Sequence, residues 1–381
     1  MGRIAVILSL ISLILWAYRP QLHAQATIQG RVTDAQTGKP LPEANVFLSG
    51  TKMGTATNDA GYYRLRNIPP GGYRLVVSII GYEQKVSDVI IGHGASKEIN
   101  FELEPVVYEL PELSVRNLDK EWKEKLERFT DHFVGQKSWA DSVKILNPEV
   151  LVFDKNWWGR LSAKALAPLN IKNMALGYHI TCHLKEFNQS GGQTKWDGEP
   201  LFREMKPADS AQAVYWEQNR RKAFLGSLRH FLLALISRQA DEEGFILYNH
   251  RRGIYGHSSN DRDKISGANI IKEADKDFLY RLNFFGRLEI VYLRENETLE
   301  YVQWLPGAYR APRGRQTSFL ELNEHPVTID ADGGIVQPYG VTQFGYFSFE
   351  RLAFLTSREY RPKDFNQRIL RGLPRGKTRK V

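Results

Sequence analysis

The chain has 381 residues, 42% of them hydrophobic and 12% aromatic, enough for a large core in roughly two domains. The net charge of +9 does not make a nucleic-acid-binding face. Arg3 and Arg19 fall in an N-terminal leader, and Arg368, Arg371, Arg375, Lys377, Arg379 and Lys380 fall in an acid-free tail, which leaves the body close to neutral.

Residues 1–25 read as a signal peptide. Arg3 is followed by an apolar run from Ile4 to Trp16, and Leu22-His23-Ala24 or Ala24-Gln25-Ala26 supplies small residues for cleavage. The run is too short and wrongly flanked to span a bilayer, and an uncleaved anchor is the alternative reading. Export is therefore expected, to the periplasm or the outer membrane. Cys182, the sole cysteine, can form no intrachain disulfide, so core packing must hold the exported chain together.

Residues 26–105 are expected to form a β-sandwich of about seven strands. Ile28, Gly30 and Val32 alternate with polar neighbours, the period-two pattern of a half-buried strand. Val46 and Leu48 begin the next inward face after Lys39-Pro40-Leu41-Pro42. Asn58-Asp59-Ala60-Gly61 is a turn, and Pro69-Pro70-Gly71-Gly72 reverses the chain between Tyr63/Leu65 and Tyr73/Leu75/Val77/Ile79. Ile99, Phe101 and Leu103 close the unit.

The order Gly30-Arg31-Val32, Pro40 to Val46, Thr57 to Tyr62, Ile68 to Gly71 and Gly81-Tyr82 resembles the carboxypeptidase regulatory-like domain, a transthyretin-like sandwich. The resemblance implies a fold and an accessory role. Such modules follow the catalytic domain of some metallocarboxypeptidases and precede the barrel of many TonB-dependent receptors, and no residue of the module is catalytic in either setting.

After a linker at 106–117, residues 118–367 are expected to form a mixed α+β domain, followed by the basic tail at 368–381. Leu118, Trp122, Leu126, Phe129 and Phe133 share one helical face, with Asn117 as its cap. Tyr178, Ile180, Cys182 and Leu184 alternate with His179, Thr181 and His183 as a strand. Cys182 then faces the core and cannot pair with His183 as a nucleophile. Asp209 to Gln212 opens one long helix reaching Ile236, with Gly226 as a kink or close contact. Strands are expected at 245–249, 278–285, 288–293, 319–322, 327–329 and 335–337, the last two joined by the Asp330 to Gly334 turn. Lys222 to Phe231 with Glu243-Gly244-Phe245, and Gly345-Tyr346 through Arg351 to Arg358-Glu359-Tyr360, resemble the C-terminal region of exported carboxypeptidase regulatory-like proteins, a region without established activity.

Three constellations bear on chemistry. His183 and Glu186 have the His-x-x-Glu spacing of zinc carboxypeptidases, with His325 as third ligand. Strand parity sets His183 and Glu186 on opposite faces, and here the sandwich precedes the larger domain instead of following it. Ser227 and His230 are neighbours on a helix, but no Gly-x-Ser-x-Gly elbow exists. Trp157, Trp158 and Trp196 fall in expected loops, where tryptophans stack on sugar rings. The reading that follows is an exported binding or scaffolding protein of the cell envelope, requiring no cofactor. Its partner is an envelope protein or glycan, with the tail resting on an anionic membrane surface. The alternative is a zinc carboxypeptidase-like hydrolase with the sandwich as accessory.

Overall fold

The computed structural model describes residues 26–106, 120–135, 139–154, 159–190, 193–250, 262–305, 308, 310–312, 314–337 and 339–365. The leader, nearly all of the linker, Trp157, Trp158 and the basic tail lie outside the described residues. Among these residues the fold is strand-rich with few helices.

The N-terminal strands are β1 (Ala26–Asp34), β2 (Asn45–Leu48), β3 (Gly54–Ala56), β4 (Tyr62–Ile68), β5 (Gly71–Ser78), β6 (Lys85–Ile91), β7 (Ser96–Glu98) and β8 (Phe101–Leu103). One sheet runs β4-β1-β7 with β8 also on β1, and the other runs β3-β2-β5-β6. Their inward residues, among them Ile28, Val32, Val46, Leu65, Leu75 and Phe101, share one core. The seven expected strands become eight because the closing run is split. β7 pairs with Thr27–Gln29 and β8 with Val32–Asp34. Between them the Ile99 carbonyl crosses Gly30 so closely that a Cβ there would stand 1.8 Å from it. Only glycine admits that crossing, and the carbonyl is held by the Tyr63 hydroxyl at 2.7 Å.

Helix α1 (Lys120–Phe133) lies on a six-stranded sheet of β9 (Val143–Ile145), β10 (Leu151–Phe153), β11 (Leu161–Ala165), β12 (Leu169–Asn173), β13 (Tyr178–Ser190) and β14 (Gln193–Glu204). β13 carries the sheet: β11 and β12 share one flank, and β14 covers the other. Phe129 and Phe133 of α1 meet Phe187 of β13 edge-on at 4.8 and 6.3 Å.

The single long helix expected from 209 is two. Asp209 caps α2 (Ser210–Phe224) through Gln212 N–H at 2.7 Å. Gly226, at φ 78°, breaks the helix, and Ser227 caps α3 (Leu228–Ile236). Eight of the nine α3 side chains from Leu228 onward are wholly apolar or His, and those from His230 on are buried. The helix sits under a five-stranded sheet, β16 (Arg262–Ile265), β15 (Phe245–His250), β19 (Arg287–Asn296), β20 (Arg315–Leu322) and β22 (Val341–Gly345) in spatial order. A three-stranded sheet of β17 (Ile271–Glu273), β18 (Leu279–Leu282) and β21 (Val327–Asp330) shares that core. The short helices α4 (Leu299–Trp304) and α5 (Tyr346–Phe349) stack Tyr301 on Tyr346 at 3.9 Å. The expected strand at 335–337 reduces to one bridge, Ile335 with Ile329, because the buried turn before it bends the chain away.

Candidate functional site at the junction of the two parts

The sandwich is fastened to the rest of the chain by backbone as well as side chains. β14 is a sheet edge, and the loop after β2 completes it. Gly50 N–H donates to Pro200 O at 2.7 Å, and Phe202 N–H to Thr51 O at 2.9 Å. Buried Glu199 of β14 meets Arg74 of β5 at 2.8 Å. Burial holds the Glu199 carboxyl above its ordinary range, against the pull of Ser49 and Arg74.

Asp330 is the centre of the joint. It is 0% exposed, and each oxygen has two donors. Oδ1 accepts from the N–H groups of Asp332 (3.0 Å) and Gly334 (2.8 Å), which shapes the turn. Oδ2 accepts from Gly72 N–H (3.0 Å) and Arg358 Nη2 (2.5 Å). Arg358 also donates from Nη1 to Gly72 O at 2.8 Å and lies over the Tyr73 ring at 4.5 Å. Burial opposes the Arg358 charge, but Asp330, Tyr73 and Asp332 outweigh it and hold the guanidinium above its ordinary value. Arg229 of α3 lies behind, donating to the carbonyls of Asp332, Tyr360 and Arg358. Burial beside Arg361 lowers its pKa to about 9, so it stays charged at neutral pH.

A cavity of about 280 Å³ opens at this joint. Thr51, Met53, Pro69 and Tyr73 of the sandwich form one wall, and Asp332, Arg358, Glu359 and Arg361 form the other. Arg361 is paired with Asp332, and Glu359 accepts Lys52 N–H at 2.7 Å. The space combines an aromatic and thioether wall with fixed charges, as small-ligand sites between domains do.

The sequence candidates lie elsewhere. A bulge in the pairing with β14 between Leu184 and Glu186 shifts the alternation, so the buried set moves from Cys182 and Leu184 to Phe187 and Gln189. Glu186 thereby returns to the face of His183, against the parity expected. The two are still not assembled. His183 is buried against the Phe47 ring at 5.2 Å, whereas Glu186 is exposed and accepts from Asn188 at 2.6 Å. His325 stacks on Phe285 at 4.9 Å in another sheet's loops. Among the described residues no three His, Cys, Asp or Glu side chains converge as a metal site would need.

His230 and Ser227 do not form a nucleophile and base. Gly226 N–H donates to His230 Nδ1 at 3.0 Å, so the proton sits on Nε2, which faces Glu243 Oε2 at 3.3 Å. Ser227 Oγ donates to Phe224 O at 2.7 Å and accepts from His230 N–H. Trp196, expected in a loop, is in β14 with its ring edge-on to Phe133 at 5.3 Å, partly buried against the core. The residues missed were Tyr73 and Arg361, and Asp332 was read as part of the Asp330 to Gly334 turn. Their one signal was the Arg358-Glu359-Tyr360 segment already singled out, which the fold brings to the Asp330 turn.

Residues 28–115 match the CarboxypepD_reg-like domain family. The chain carries a carboxypeptidase regulatory-like domain. Over 82 residues the chain is 34% identical to human carboxypeptidase D, a stretch that spans 21% of this chain and 6% of that protein. Solved structures similar to the chain include catechol 1,2-dioxygenase from Acinetobacter sp. ADP1 (15% identity, 24% of this chain, 55% of that one, TM-score 0.20). They also include the major pilin BcpA of Bacillus cereus (14% identity, 22% and 31%, TM-score 0.20). A type II cohesin–X-dockerin complex from Acetivibrio cellulolyticus is similar at 20% identity, over 20% and 52%, with TM-score 0.17. Each likeness covers about a fifth to a quarter of this chain. The carboxypeptidase regulatory-like match covers residues 28–115, the first part of the chain.

His183 marks the joint in a measurable way. Its burial against the domain lowers its pKa to about 4. Between the unfolded value near 6.5 and that folded value, the unfolded chain binds a proton that the folded chain refuses, so stability falls as pH drops through this window. The full loss is on the order of 3 kcal/mol. Glu199, with its raised pKa, has the opposite sign, so the check is a difference: thermal unfolding against pH for the wild type and His183→Gln. The wild type should show the steeper acid loss. Parallel curves would refute the assignment.

Proposed function

We propose that the chain is an exported binding or scaffolding protein of the cell envelope. In this reading the carboxypeptidase regulatory-like domain, a sandwich of transthyretin type, is a non-catalytic accessory fixed to the larger domain, and the junction cavity takes the ligand. The observation that carries the reading is the cavity itself. Both parts wall it, and the buried Asp330–Arg358 pair holds the walls in register. An accessory domain that only tethered would need no such shared space. The leader supports a periplasmic or outer-membrane location, and the basic tail fits contact with anionic lipid. The partner is an envelope glycan or protein.

The test uses the mature protein with its tail. A glycan array and a peptide array are probed with the wild type and with Thr51→Trp, which fills the cavity from the sandwich side. A hit lost in the folded variant supports the reading. Hits that survive unchanged, or silence on both arrays, remove the cavity as the binding site. Cell fractionation that finds the chain in the cytoplasm would remove the envelope location.

A further inference from the structure

The five-stranded sheet has two different faces. One packs Phe245, Leu247, Leu288, Ile290 and Leu320 into the core with α3. The other carries Tyr248 and His250 of β15, Arg262 of β16, Arg287 and Glu289 of β19, Phe319 and Glu321 of β20, and Phe344 of β22. Register sets these in two cross-strand rows: Arg262, His250, Arg287 and Glu321 in one, Tyr248, Glu289, Phe319 and Phe344 in the other.

Both arginines are held in the same manner. Arg262 lies over the Tyr248 ring at 4.4 Å and donates from Nη1 to both oxygens of Glu289, at 2.9 and 3.2 Å. Arg287 lies over the Phe344 ring at 4.5 Å and donates from Nε to Glu321 at 2.8 Å. His250 Nε2, at 2.6 Å, is the other partner of Glu289. Ring stacking and one ion pair fix each guanidinium, but neither uses all its donors. Among the described residues, Nε and Nη2 of Arg262, and both Nη atoms of Arg287, have no acceptor and can take a further one.

What a partner meets on this face is positive. The Arg262 and Arg287 side chains are 47% and 36% exposed, against 9% for Glu289 and 19% for Glu321. The acids are spent inward on orienting the cations, whose open edges point out. The backbones of the two arginines lie two strand spacings apart, roughly 10 Å. Arginine on tyrosine and phenylalanine is also the composition that protein interfaces favour over the rest of a surface, and a planar guanidinium pairs best with a carboxylate.

We infer that this sheet face is a docking surface for an acidic protein segment, with the free edges of Arg262 and Arg287 as its two carboxylate anchors. It is separate from the junction cavity and stands whether or not that cavity binds anything.

The experiment measures fluorescence anisotropy of a labelled short peptide of alternating Glu and Ala, titrated with the mature protein at low and at physiological salt. Saturable binding that weakens with salt is expected. The double variant Arg262→Ala/Arg287→Ala should weaken it about tenfold or more, as loss of two anchors does. If that variant does not fold, Arg262→Lys/Arg287→Lys keeps the charge but loses the planar fork, and should still weaken binding several-fold. Peptide binding that is absent, or unchanged in the folded variants, overturns the proposal. So does tighter binding of polyglucuronate, or of vesicles containing phosphatidylglycerol, because the surface would then be a glycan or membrane site.

Discussion

Asp330→Ala should be the most damaging single change in the joint, lowering stability by about 3–5 kcal/mol. The reason is the number of partners left behind. Arg358 would keep its charge in a largely buried position with no carboxylate against it, and the N–H groups of Gly72, Asp332 and Gly334 would lose their acceptor together. Asp330→Asn separates the two contributions. Its remaining oxygen can still hold the turn, so most of its cost is the uncompensated arginine, about 1–3 kcal/mol. The measurement is thermal unfolding of the mature protein, together with limited proteolysis between the sandwich and the larger domain. A loss below about 0.5 kcal/mol in Asp330→Ala, the scatter of ordinary surface changes, would show that the pair does not hold the joint.

His230→Ala should cost a comparable amount, about 3–5 kcal/mol, for a different reason. The ring is wholly buried between Phe224, Phe245, Tyr292 and Phe365, at centroid distances from 4.9 to 5.7 Å. Its removal opens a cavity, strips Gly226 N–H of its acceptor and takes one partner from buried Glu243. Ser227→Ala loses a helix cap and the bond to Phe224 O, opens no comparable cavity, and should cost about 1 kcal/mol. A large stability gap between the two variants is what a structural pair produces. A nucleophile and its base would instead lose an activity equally in both variants with little change in melting. That outcome would reinstate the hydrolase reading.

Which of these features the sequence could show depends on whether their cause is local. The alternation Ile28-Gly30-Val32 and the Tyr178 to Leu184 strand were legible, because side-chain parity is a property of neighbours in the chain. The same rule failed at Lys185, since one extra residue in a strand leaves no mark on the hydrophobic pattern but reverses it downstream. Trp196 is expected in a loop but lies in β14, whose strand runs on through Asp197-Gly198-Glu199-Pro200. A proline is harmless there only because β14 is a sheet edge, and an edge is a property of the whole sheet. Gly226 was recognised as a special position, but not as the gap between two helices. The cavity could not be read at all. Tyr73 and Arg358 are distant in sequence, and each looks like an ordinary residue of its own segment.

Gly72 and Lys52 take their partners from Arg358 and Glu359, which are 286 and 307 positions away. During synthesis the leading module can therefore fold long before the clasp that secures it exists. It must wait for nearly the whole polypeptide to emerge. A product ending ahead of residue 358 would keep the β14 contacts to the front end but carry a bare anion inside the turn, so the last clasp of the assembly is contingent on that late segment.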